Sequence, residues 1–419
     1  MRVESNCVAA FLLPLQNSNN AGQLMKLETK LVHSGENNSS SGLKPVAEPI
    51  VLSTNFKFDF LGEEKEFQYS RVGNPNRSML ERKLAEIEFG VAAFAFSSGM
   101  AAISSVIQSL PANSMILSPR DLYGGSFHVF ETYFRPLGYK FHYADNILAA
   151  LEEQSRHGRK VSPPKADDSA RRDLAEKIDL IFVESPTNPF LKIIDLKRLS
   201  ILAHKIGAMV CVDNTFATPS LQNPILLGAD IVVHSATKFL GGHSDITAGA
   251  VVVKSAEFGK RIGFVQKSLG AVLPPFDSFL LARSIQTLDV RVRRQSQNAK
   301  AIAEFLKRNK KIGEVYYPAF ESEFKKTDQM KLPGAVVTIE LKSYSQAKTF
   351  TKNLKLFKIA ESLGGVESIV NHTWSMSHDV MPPKVKEEMG ITKGTLRLSI
   401  GIEAEEDLIE DLEFALSKI

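Results

Sequence analysis

The stretch Ile231-Val-Val-His-Ser-Ala-Thr-Lys-Phe-Leu-Gly-Gly-His243 decides how this chain is read. Residues 231–234 form a short, mostly apolar run that suits a buried strand. The run ends in Ser235, Thr237 and Lys238, and glycines follow at once. Ligands collect at strand ends in open α/β sheets. A lysine at such an end can form a Schiff base if its ammonium, ordinarily of pKa ~10.4, is desolvated enough to lose its proton. Taken alone, Lys238 reads rather as a surface lysine in a loop.

Two flanking stretches change that balance. A second buried run, Met209-Val-Cys-Val212, ends in Asp213-Asn214-Thr215. A carboxylate there suits a protonated pyridine nitrogen, which it keeps an electron sink; alone, Asp213 could equally cap a helix. Upstream, Phe96-Ser97-Ser98-Gly99-Met100 joins a strand-like run to a helical pattern beginning near Ala101. Small residues at a helix start let a phosphate approach the open amides and the positive end of the helix dipole. Anion cradle, ring partner and lysine, in this order, outline a pyridoxal phosphate site.

The surrounding pattern fixes the fold class. Apolar runs at 92–97, 180–184, 209–212, 231–234 and 250–253 are rich in Val, Ile and Phe and alternate with helical patterns such as 101–110 and 196–206. They are expected to be strands of a mostly parallel sheet in an α/β domain, wound with helices on both sides. Residues 154–177, with Pro163-Pro164 and many charges, read as a solvated surface insertion. After about residue 275 the expectation is a long helix over 279–309, strands near 335–341 and 395–400, and a closing helix from Glu405. That is a smaller α+β domain. Residues 1–25 read as a disordered extension, with a targeting leader as the alternative. The expected organisation is an N-terminal arm over 26–75, a cofactor-binding domain over 76–275 and a C-terminal domain over 276–419.

Composition narrows the function classes. In 419 residues, 43% hydrophobic and 23% charged content is ordinary for a globular protein and excludes a disordered chain or a coiled coil. The 51 Lys+Arg against 47 Asp+Glu leave only +4, with no basic block or aromatic platform, so no nucleic-acid partner is expected. Two distant cysteines, Cys7 and Cys211, build neither a disulfide framework nor a cysteine-based zinc site, and fit a reducing, cytoplasmic compartment. No metal is expected. No apolar run approaches the ~18 residues of a membrane span.

The motif set resembles the Cys/Met-metabolism family of pyridoxal phosphate enzymes, which includes cystathionine β-lyase, γ-lyase and γ-synthase and methionine γ-lyase. The resemblance covers 27–419. Its pieces are Tyr69-Ser-Arg71 with Gly73-Asn-Pro75, Ser98-Gly-Met100, Asp121-Leu-Tyr-Gly-Gly125, Glu184-Ser-Pro-Thr-Asn-Pro189, Asp213-Asn-Thr215, His234-Ser-Ala-Thr-Lys238, Glu361-Ser-Leu-Gly-Gly365 and Leu396-Arg-Leu-Ser-Ile-Gly401. It implies the fold-type I architecture and a homotetramer built as a dimer of dimers, each site drawing on two chains. It also implies roles. Lys238 would hold the cofactor and move protons, Asp213 would pair with the ring nitrogen, and Tyr123 would stack on the ring and act as acid or base. Ser98, Gly99, Met100, Ser235 and Thr237 would hold the phosphate, with Tyr69 and Arg71 reaching it from the neighbouring chain. Arg397 would grip the substrate α-carboxylate in a bidentate pair, helped by Ser362 and Asn188.

Departures from the family pattern bear on the substrate. Gln68 stands where cystathionine-handling relatives often carry an acid, and His128 where they often carry an arginine. Gly125 replaces the cysteine of methionine γ-lyases, and Glu361 matches the cystathionine enzymes. The resulting expectation is a carbon–sulfur lyase of the cystathionine β-lyase type, releasing homocysteine, pyruvate and ammonia. The alternatives are γ-synthase or γ-lyase chemistry, and, from another class, a cofactor-binding paralogue without turnover. Retention of Lys238, Tyr123, Asp213 and Arg397 argues against that last reading.

Overall fold

The structure is a computed structural model and describes residues 25–35, 45–157 and 177–419. Nearly all of the 1–25 extension and most of the 154–177 insertion therefore lie outside the described residues; 154–157 complete the helix Ile147–His157. The strands are β1 (Ala92–Phe96), β2 (Met115–Pro119), β3 (Lys140–Ala144), β4 (Leu180–Glu184), β5 (Met209–Asp213), β6 (Ile231–His234), β7 (Gly249–Val253), β8 (Glu314–Tyr316), β9 (Val336–Glu340), β10 (Lys358–Ile359), β11 (Ile369–His372) and β12 (Thr395–Ser399). The chain divides into two compact units, one comprising Met1–Leu110 with Asp230–Asp289, the other Pro111–Ala229 with Val290–Ile419. The expected domains are consecutive stretches, whereas both units are interrupted in sequence.

In the first unit, β7 runs antiparallel to both β1 and β6, with Val251 opposite Phe94 on one side and Val233 on the other. The sequence leads to a mostly parallel sheet, and β7 is the strand that departs from it. All three strands are buried along their whole length, and a run hidden on both faces carries no periodicity that betrays direction. The helix Pro75–Ile87 packs on β1. Pro75 occupies its first position, Asn74 caps the Asn76 amide, and Leu80, Leu84 and Ile87 are fully buried, each contributing roughly 1.5–3 kcal/mol.

The second unit holds the parallel strands, ordered β3-β2-β4-β5 and in register from Ile116↔Leu180 to Glu184↔Asp213. Leu196, Leu199 and Ala203 of the helix Leu196–Lys205 cover one face together with Leu151. The unit also contains a five-stranded sheet, β10-β11-β12-β9-β8, antiparallel except for the β10–β11 pair. Its core includes Ile302, Leu306, Phe350, Leu398 and Leu412. This is the expected α+β assembly, and the closing helix Glu405–Ser417 forms as read. The long helix over 279–309 does not run unbroken; it is Pro275–Ile285 followed by Leu288–Lys307. Gln286 and Thr287 donate three residues back rather than four, and the Thr287 hydroxyl bonds the Ser284 carbonyl, competing with the helical ladder.

Candidate active site

In the first unit the strand-to-helix turn and the lysine loop come together. Ser98 caps the helix Gly99–Gln108, its hydroxyl accepting from the Ala101 amide. Gly99 and Met100 take the first two helical positions, where backbone N–H groups have no acceptor within the helix. Close packing explains the glycines: a Cβ on Gly99 would sit 2.7 Å from the Ser235 Cβ, and one on Gly249 would sit 2.0 Å from the Ser98 carbonyl oxygen. Beyond β6, the Lys238 amide donates to the Ser235 carbonyl, so lysine and cradle share one tight turn. The Thr237 hydroxyl accepts from the Ala248 amide and donates to the Ala248 carbonyl, pinning this loop to the start of β7. Behind it, His234 Nε2 and Glu88 Oε1 lie 2.6 Å apart and fully buried, a pair that the sequence did not announce.

Tyr69 and Arg71 also belong to this unit. The Arg71 guanidinium lies over the Tyr69 ring at 5.5 Å, and Nη1 donates to the Lys267 carbonyl of the same chain at 2.5 Å. Gln68 and His128 are exposed.

In the second unit, Arg397 on β12 is 3% exposed. Nη1 donates to Asn188 Oδ1 and Nη2 to the Ser362 carbonyl, each at 3.0 Å, while Nε has no partner. No carboxylate pairs with it among the described residues; burial lowers its pKa to about 10, against the opposing field of Glu361. Ser362 takes a left-handed backbone, φ +84°, which turns its carbonyl, rather than only its hydroxyl, to the arginine. Glu361 accepts from the Asn371 side chain at 3.2 Å. Tyr123 precedes the helix Gly124–Val129 and stays 37% exposed. Its ring lies over Gly125, where a Cβ would come within 2.5 Å of Cε1. Partial burial raises the phenol pKa, with Arg397 opposing. The His378 ring meets Tyr123 edge-on at 6.5 Å. Asp213 ends β5 opposite Glu184, and its Oδ1 accepts from the Thr215 amide.

Residues 28–417 match the model of the family described as Cys/Met metabolism PLP-dependent enzyme. The chain belongs to this family. It is similar to the cystathionine beta-lyase of Lactococcus lactis subsp. cremoris strain MG1363, 42% identical over 94% of this chain and all of that one. It is 39% identical to the cystathionine gamma-lyase of Bacillus subtilis strain 168, over 94% of this chain and all of the relative. Among solved structures, cystathionine gamma synthase from Xanthomonas oryzae pv. oryzae in complex with cystathionine superposes with a TM-score of 0.86 at 37% identity, covering 94% of this chain and 99% of that one. The α/β fold-type I expectation holds, and the chain is a pyridoxal phosphate-dependent enzyme of the trans-sulfuration group.

The family's cofactor fits what the residues offer. The Gly99–Ser235 and Gly249–Ser98 approaches leave no room for side chains beside the helix start, so the cradle is backbone, as a phosphate requires. Sequence alone does not single out Phe216 or the Glu88–His234 pair, because each acquires its place from a partner far along the chain. Phe216 lies 6.0 Å beneath the Arg397 guanidinium.

Proposed function

We propose that this enzyme catalyses β-elimination of cystathionine to homocysteine, pyruvate and ammonia. The observation that carries the reading is Arg397: a buried guanidinium with an unpartnered Nε and, among the described residues, no acid paired to it suits the α-carboxylate of an amino acid. In this reading Arg397, Asn188 and Ser362 orient the substrate, and Glu361 borders the same pocket. Lys238 holds the cofactor, with Ser98, Gly99, Met100, Ser235 and Thr237 at its phosphate and Asp213 at its ring nitrogen. The bound cofactor supplies an electron sink for the charge left at Cα. Lys238 Nζ takes the α-proton, and Tyr123 Oη or Lys238 returns a proton to the departing sulfur. One proton removal suffices for β-elimination, whereas departure from Cγ needs a second, at Cβ. Gln68 and His128, in place of an acid and an arginine, favour the simpler reaction. The γ-lyase and γ-synthase relatives support the second reading, γ-elimination or γ-replacement.

The same proposal includes a cytoplasmic homotetramer in which Tyr69 and Arg71 serve the neighbouring chain. The buried thiol of Cys211 accords with a reducing compartment. The test is incubation of the purified, cofactor-loaded protein with cystathionine. Pyruvate with homocysteine is expected; 2-oxobutyrate with cysteine would replace β-elimination by the γ reading.

A further inference from the structure

Glu184 ends β4 with 5% of its surface exposed, and no lysine or arginine pairs with it among the described residues. Asp213 faces it across the β4–β5 pair, and Asp121 lies nearby. Burial and these two carboxylates push its proton affinity well above the ordinary range. A buried acid among acids is a net cost to folding, so stability does not account for it.

Its hydrogen bonds do. Oε1 accepts from the Tyr123 amide at 2.9 Å and Oε2 from the Asn188 amide at 3.3 Å. Asn188 Oδ1 in turn accepts from Arg397 Nη1. On the other side of Tyr123, Gly124 lies so close to the Ser377 carbonyl that a Cβ would sit 2.6 Å from its oxygen, which blocks retreat of the main chain in that direction.

We propose that Glu184 is a positioning residue that registers Tyr123 to Arg397. One carboxylate, with an acceptor for each amide, sets the spacing between the phenol that meets the departing sulfur and the guanidinium that meets the α-carboxylate. The inference rests on the roles given to Tyr123 and Arg397 under the proposed function. Glutamine is the informative replacement. It has the same size, but its NH2 cannot accept, so one of the two amides loses its partner.

The test compares Glu184→Gln with wild type as holoenzymes. Glycine, which offers an α-carboxylate and no leaving group, is titrated by the change in cofactor absorbance, and keto-acid release from cystathionine gives kcat and KM. The expected result is unchanged cofactor retention and an equal or higher unfolding midpoint, since a buried acid crowded by two other carboxylates is gone. Glycine affinity should weaken ~10-fold and kcat should fall ~10-fold or more, the scale of losing one buried hydrogen bond that holds reacting groups. Glycine affinity, kcat and KM all within twofold of wild type would overturn the proposal. A lowered midpoint with intact glycine affinity would overturn it too, because Glu184 would then be structural. Wild type that binds glycine but makes no keto acid, with the variant losing glycine, sinks the β-lyase reading and upholds the positioning role. Wild type that shows no glycine response refutes both the Arg397 reading and the inference.

Discussion

At His378 burial sets the charge. The ring is fully buried beside Tyr123, and Nδ1 meets the Ser377 hydroxyl at 3.0 Å. Desolvation, with the Arg397 charge added, lowers its pKa to about 3. The unfolded chain takes up a proton at this residue near pH ~6.5, while the folded chain does not until about pH 3. Between those values the unfolded state binds more protons, so this residue's contribution falls as pH drops from 6.5. At pH 5.5 the loss is about 1.4 kcal/mol, the worth of one pKa unit. Replacing His378 by Asn removes the term. Denaturation of wild type and His378→Asn at pH 7.5 and 5.5 should show the wild type losing that much more on acidification. An equal response in both would show that the folded protein accommodates imidazolium at this position.

Among the elements, those whose chemistry is local were legible in sequence. The β6 end with Ser235, Thr237 and Lys238, the Ser98 cap and the β5 end at Asp213 each appear where an apolar run meets a polar or glycine-bearing turn. What was hidden depends on partners distant in the chain. Strand direction in β7, the break before Leu288 and the bridging of Tyr123 and Asn188 by Glu184 arise from contacts that no window of sequence contains. Gly249 belongs to both groups, visible as a glycine and unexplained until β7 is seen against the Ser98–Gly99 turn. A methyl group there meets backbone 2.0 Å away, and neither partner is a side chain that can swing aside. Gly249→Ala should therefore push the turn out of place and weaken cofactor retention ~10-fold or more, besides costing roughly 1–3 kcal/mol of overpacking. Gly263→Ala is the control: its Cβ would meet the Phe94 ring at 2.9 Å, away from the turn. Dialysis followed by cofactor absorbance separates the two. Equal retention in both variants would mean that this turn does not hold the phosphate.

At the scale of the whole molecule the open question is where Arg71 acts. Within its own chain the guanidinium already has a partner, the Lys267 carbonyl, and its Cδ lies 3.4 Å from the position of a Gly270 Cβ. The family resemblance assigns it instead to the phosphate of a neighbouring chain. A guanidinium–phosphate contact is among the stronger polar contacts, far stronger than one neutral carbonyl can offer, so assembly would give Arg71 reason to exchange partners. Arg71→Ala should then weaken cofactor retention, and Lys238→Ala should abolish turnover. Mixed under conditions that allow subunit exchange, and at a cofactor level where Arg71→Ala alone loses its activity, the two variants should recover part of the wild-type activity. One site of a mixed pair combines the intact lysine of the first variant with the intact arginine of the second, while the other site carries both defects. Random exchange among dimers limits the recovery to about a quarter of wild-type activity, since half the dimers are mixed and each has one good site. If mass analysis confirms exchange and activity stays at the level of the separate variants, Arg71 serves its own chain through the Lys267 turn, and the shared-site assembly is wrong.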